Sequence, residues 1–147
     1  MLLSCFVGAS LGICGAVLQG LFRNPLADPG LIGVSAGAAL GAAIAIVILP
    51  PGLFESLTGQ LLLPISGILG ALIVIVLLFS VTKGFGGHST TYLLLMGVAI
   101  NAIVGVLIGV LTYISTNTEL RTLTFWTMGS FSGATWTLLL PASEAIC

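Results

Sequence analysis

Few residues in this chain are equipped for chemistry, and where they fall limits what that chemistry can be. Its 147 residues carry three cations, four carboxylates and one histidine. Seven of these eight, Arg23, Asp28, Glu55, Lys83, His88, Glu119 and Arg121, fall in short polar stretches between long apolar runs, and the eighth, Glu144, lies in the last residues. Within the runs themselves, acid, base and metal-assisted catalysis lack their parts, which sets aside an intramembrane enzyme. His88 has no second His, Cys or carboxylate placed to share a metal, so it reads as an interfacial loop residue and the sequence offers no metal site. No glycine-rich phosphate loop ending in Lys and Ser or Thr is present, so ATP hydrolysis must be supplied by another chain if it is used at all. Cys5 and Cys14 fall on one expected helix, roughly 13 Å apart along its axis, too far for a disulfide. With Cys147 they read as small apolar side chains.

The elements that must hold these groups are written in lipid terms. Hydrophobic residues make up 58% and charged residues 5%, with a mean hydropathy of +1.28. A soluble domain carries about a quarter charged residues, so the solvent here is a bilayer. A net charge of -1 and the lack of a basic tract exclude a nucleic-acid partner. About 20 apolar residues cross a membrane, which predicts an all-α bundle with spans over about 2–20, 29–49, 61–82 and 92–115. A short external helix is expected over about 117–128, and another apolar run starts near 134 and stops before it could span. The opening "MLLSCFVGASLGICGAVLQG" lacks a positive n-region and a cleavage site, and reads as a spanning helix rather than a secretory signal.

Alternation of the spans puts the loops after the first and third on one side, with Arg23 and Lys83. The other side has Arg121, Glu55 and Glu119. The positive-inside rule then makes the Arg23 and Lys83 side cytoplasmic, by a margin of two cations to one. Small residues recur every fourth position in three spans: Gly8, Gly12, Ala16 and Gly20; Gly33, Gly37, Gly41 and Ala45; Gly97, Asn101, Gly105 and Gly109. Such stripes let helix backbones approach, and three of them predict a compact bundle. Asn101 puts an amide into the last stripe, where it must either bond a neighbouring helix or line a cavity. Gln19, at the end of its span, is expected to be hydrated at the interface.

The most polar of the connections is "FRNPLADPG", residues 22–30. Asn24 before Pro25 is pushed out of helical geometry, which ends the first span. Asp28 before Pro29 reads as an N-cap followed by a proline at the first helical position, which starts the second. Arg23 has no explanation at this level. At the far side, "TNTEL" offers a capping box between Thr116 and Glu119, and Phe125 and Trp126 suit the membrane interface.

The segments "CGAVLQGLFRNPLADPGLIGVSAGAALG", "HSTTYLLLMGVAINAIV" and "LRTLTFWTMGSFSGATW" together resemble the FecCD-type permease subunits of bacterial ABC importers for iron siderophores, haem and cobalamin. The order and spacing agree over essentially the whole chain. The resemblance implies a subunit of about ten transmembrane helices in the bacterial inner membrane. It would be paired with a second permease, cytoplasmic ATPase subunits that hold the ATP and Mg, and an external substrate-binding protein. This sequence looks like helices two to five and the start of the sixth. The first helix, and a second half that includes the ATPase-docking segment, are expected to be missing, so the chain alone should not transport.

By the same resemblance, Asn24 and Leu26, with Thr90 and Thr91, match residues of a cytoplasmic gate. Ser89, Thr90 and Thr91 equally suit helix capping, and the two roles are compatible. Gly97, Asn101, Gly105 and Gly109 are expected to line the path or pack the helix that does. Arg121 could meet an acidic face of a binding protein, or simply be solvated. The expected function is therefore a permease subunit that works by alternating access. The alternative is an inactive truncated fragment, or a structural membrane protein without transport activity.

Overall fold

The computed structural model describes residues 2–25, 28–50, 57–84 and 90–130. The described residues form helices α1 (Leu2–Phe22), α2 (Val34–Ile48), α3 (Leu57–Gly84), α4 (Thr90–Ile114) and α5 (Asn117–Met128), with a 3-10 turn at Pro29–Ile32 ahead of α2. Three of these helices are long and apolar enough to cross a membrane, over Leu3–Phe22, Leu61–Lys83 and Thr91–Ile114.

The expected second span differs. Residues 29–49 read as one apolar helix, but the chain breaks at Gly33, whose φ of 91° and ψ of 3° are left-handed. Hydropathy is blind to this break, because Gly33 and its neighbours are as apolar as a continuous helix would be. The α-helix left over has 15 residues, about 22 Å at 1.5 Å per residue.

Helix α2 is the centre of the bundle. Its main partner is α3, and the contact is backbone on backbone. A Cβ added to Gly37 would stand 2.7 Å from the Gly70 carbonyl oxygen and 2.8 Å from Val74 Cγ2, and one added to Gly41 would run into the Ser66 carbonyl. In lipid, where apolar burial gives helices little reason to associate, contact this close is what holds them. Ala42 and Ala43 are fully buried on the same helix.

Two apolar clusters lie at different levels. Near the middle, Phe22, Ile32, Val74, Leu78, Ile100 and Val104 join the end of α1, the 3-10 turn, α3 and α4. At the other end, Ala43, Ile46 and Leu123 seat α5 against α2, with Leu63, Leu111 and Trp126 around them. The capping box that starts α5 is formed: the Thr116 N–H donates to Glu119 Oε2 at 2.8 Å, and the Glu119 N–H donates to Thr116 Oγ1 at 3.5 Å.

Helix α1 stands apart. Its expected packing stripe meets nothing among the described residues: added Cβ atoms at Gly8, Gly12 and Gly20 have none of their atoms within 4 Å, and Ala16 is exposed. Among the described residues, its last turns engage the bundle through Phe22 and the half-buried Leu18.

Candidate functional site

The polar loop between α1 and α2 is built from hydrogen bonds that close on themselves. Arg23 adopts a positive φ of 48°, and the Asn24 N–H donates back to the Gln19 carbonyl at 3.2 Å. This is a helix C-terminus closed by a left-handed residue, a position usually taken by glycine or asparagine. Arg23 thus has a structural role as the residue on which α1 turns off. The signal was hidden because arginine gives no hint of left-handed backbone.

After the loop, Asp28 is extended, and its carboxylate accepts from the Gly30 N–H at 2.5 Å. The Leu31 N–H donates to the Asp28 carbonyl at 3.0 Å and the Gly33 N–H to the Gly30 carbonyl at 3.2 Å. Gly33 then reverses the backbone, and the Gly37 N–H donates to the Gly33 carbonyl at 2.8 Å to begin α2. Asp28 is therefore a cap, as its place before proline predicts, but of a single 3-10 turn. The Pro29–Gly30 pair and Gly33 carried a turn signal that the surrounding apolarity outweighed.

This turn lies partway along its neighbours. Gly33 faces Val74 of α3, roughly 15 Å before that helix ends at Gly84, at 1.5 Å per residue. On α4, Gly97 lets the Leu31 carbonyl lie directly against the helix. One turn further on, Asn101 Nδ2 donates to the Gly30 carbonyl at 2.9 Å. The Asn101 Oδ1 atom is buried and has no hydrogen-bond partner among the described residues. Facing a carbonyl fixes the amide's orientation, because only its NH2 can donate there.

The other residues singled out in the sequence fall in several places. Asn24 is half-buried just beyond the α1 terminus, while Leu26 lies outside the described residues. Thr90 opens α4, its side chain outside the described residues, and Thr91 is exposed on the first turn. Nearby, a cavity of about 200 Å³ is lined by Thr82, Tyr92, Leu95 and Met96. Gly97 and Asn101 are brought together with the turn. Gly105 and Gly109 are not; both are exposed, and an added Cβ at either would meet no atom within 4 Å. Arg121 is exposed on α5, and a groove of about 600 Å³ on that helix is lined by Thr122, Phe125, Trp126, Gly129 and Ser130.

The model of the FecCD transport family matches residues 1–147, the full length of the sequence. The chain belongs to the FecCD transport family. Among similar FecCD relatives, the hemin transport system permease protein HmuU of Yersinia pestis is 43% identical over 151 residues, covering 99% of this chain and 43% of HmuU. The vitamin B12 import system permease protein BtuC of Photorhabdus laumondii is 44% identical over 130 residues, covering 88% of this chain and 37% of BtuC. A solved metal-chelate type ABC transporter in an inward-facing conformation superposes with a TM-score of 0.73 at 38% identity, over 91% of this chain and 40% of that one. The FecCD chain described here therefore spans well under half the length of these relatives. It is a multi-pass helical protein of the bacterial inner membrane.

Proposed function

We propose that this FecCD chain forms part of the translocation path and cytoplasmic gate of a bacterial ABC importer for a large metal chelate. The cargo class is the one that includes ferric siderophores, haem and cobalamin. Membership of the family over all 147 residues carries this reading, and the names of the relatives, which concern hemin and vitamin B12, support the cargo class. A second permease subunit, an external binding protein and ATPase subunits holding ATP and Mg complete the machine on this view.

The chain's own residues do the work of holding and opening a passage. Arg23 and Lys83 mark the cytoplasmic side by the positive-inside rule. Asn24 and Leu26 on the first loop, with Thr90 and Thr91 at the start of α4, form the narrow point. Helix α4 supplies a smooth wall, since Gly105 and Gly109 leave its face open. On the outer side, α5 presents Arg121 to the binding protein.

Uptake of ferric siderophore, haem and cobalamin by the assembled transporter, reconstituted from its complete operon in vesicles, tests the reading. ATP-dependent uptake of one of the three is the expected result, and uptake of none would overturn it. Leu26→Gly is expected to raise passive leak in the same vesicles. An unchanged leak removes Leu26 from the gate.

A further inference from the structure

We propose that Asn101 is a positioning residue for the path: its side-chain amide clamps the Asp28–Gly33 turn to the middle of α4, so that turn and helix move as one body. The proposal rests on the reading of the chain as a permease, and adds to it the link between the first cytoplasmic loop and the helix that walls the path.

Several observations converge on the clamp. The hydroxyls of α3, α4 and α5 that lie in apolar surroundings bond carbonyls of their own helices, as Ser80 does to Val76, Thr82 to Leu78, Thr112 to Ile108 and Thr127 to Leu123. That satisfies a polar group in lipid and joins nothing to anything else. Asn101 instead reaches a separate element, 71 residues away in sequence. It does so at the cost of leaving its own Oδ1 buried and without a partner among the described residues, a loss that an apolar side chain of similar size would not incur.

The bond is also not needed to satisfy Gly30. The Gly30 carbonyl already accepts from the Gly33 N–H, so the turn closes without help from α4. What Asn101 adds is attachment. Gly97, one turn earlier on the same face, allows the Leu31 carbonyl to lie against the helix, and so sets the distance at which the amide can reach. Ile32, Phe22 and Ile100 meet in one apolar cluster. The turn therefore rests on α4, and the end of α1 that leads into the Asn24 loop rests on the turn.

A clamp of this kind separates from a packing role by experiment. In the assembled transporter in lipid nanodiscs, Asn101→Leu keeps the volume, removes the unpaired Oδ1 and leaves Gly30 bonded to Gly33. Its melting temperature is expected to stay close to that of the parent. Hydrogen exchange of the Leu31 and Gly33 amides should rise about tenfold, the equivalent of one lost hydrogen bond, while the Gly37 amide serves as an unmoved control. Gly97→Ala reaches the same end by sterics, pushing Leu31 off α4, and should loosen the same amides. In both variants more ATP should be hydrolysed per chelate moved, by several-fold.

Unchanged exchange at the turn in both variants overturns the clamp. Faster exchange with an unchanged ratio of ATP to chelate overturns the positioning role, and leaves the permease reading intact. A parent assembly that moves no ferric siderophore, haem or cobalamin overturns that reading and the positioning role with it.

Discussion

Helices α1 and α2 carry the same signal in sequence and opposite surroundings in structure. Both repeat small residues at every fourth position, Gly8, Gly12, Ala16 and Gly20 in one, Gly37, Gly41 and Ala45 in the other. On α2, Gly37 and Gly41 press against the α3 backbone at Gly70 and Ser66 with no room for a methyl group, and Ala45 is buried. On α1 the same spacing faces open space. A small-residue stripe thus states that a backbone can be approached, and leaves open by what. On α2 the answer comes from Gly70, a small residue at the matching height on the partner helix.

The largest test of this contrast is Gly41→Ala. The added methyl collides with the Ser66 carbonyl, and overpacking of this kind costs about 1–3 kcal/mol. A clear fall in melting temperature in detergent is expected; an unchanged value would mean that α2 and α3 are further apart than described. Gly33→Ala follows, at about 1–2 kcal/mol for an L residue forced into left-handed backbone, with Val74 Cγ1 3.1 Å from the new Cβ. It should be read by the same melting experiment.

A smaller effect is expected from Thr116→Ala, which removes one half of the α5 capping box and costs about 1 kcal/mol or less. Limited proteolysis at the start of α5 would report the fraying. The smallest belongs to Gly12→Ala, which should move the stability of these 147 residues by less than about 0.5 kcal/mol. If Gly12→Ala destabilises a full-length assembly as Gly41→Ala does, the α1 stripe is packed by protein beyond the described residues. The contrast between the two helices would then belong to the described residues and not to the whole assembly.

Much of the architecture is legible in the sequence because lipid imposes simple rules. Long apolar runs give α1, α3 and α4 to within a few residues, and Thr116 with Glu119 marks the start of α5 through hydrogen bonds that only those side chains can make. What escapes has a common cause. The break at Gly33 and the left-handed Arg23 are backbone events, and side-chain apolarity does not record them. Asn101 shows the same limit at the candidate site. Its amide in an apolar helix announces that a partner or a cavity is required, but the partner is a main-chain carbonyl at Gly30, and any residue there would carry one.

The shortness of α2 has a consequence for where lipid can be. Its 15 residues reach about 22 Å, against a hydrocarbon core of about 30 Å. The remainder of that crossing is made by the Asp28–Gly33 turn, and irregular backbone at membrane depth is tolerated only when shielded by protein or facing a water-filled cavity. Helices α3 and α4 shield one flank of the turn. Within the turn itself, Leu31 is open at 39% exposure. A continuous helix could present such a side chain to acyl chains, because its backbone is already hydrogen-bonded; an irregular turn cannot. In the membrane, the open side of the turn must meet more protein or a water-filled cavity, however greasy its side chains.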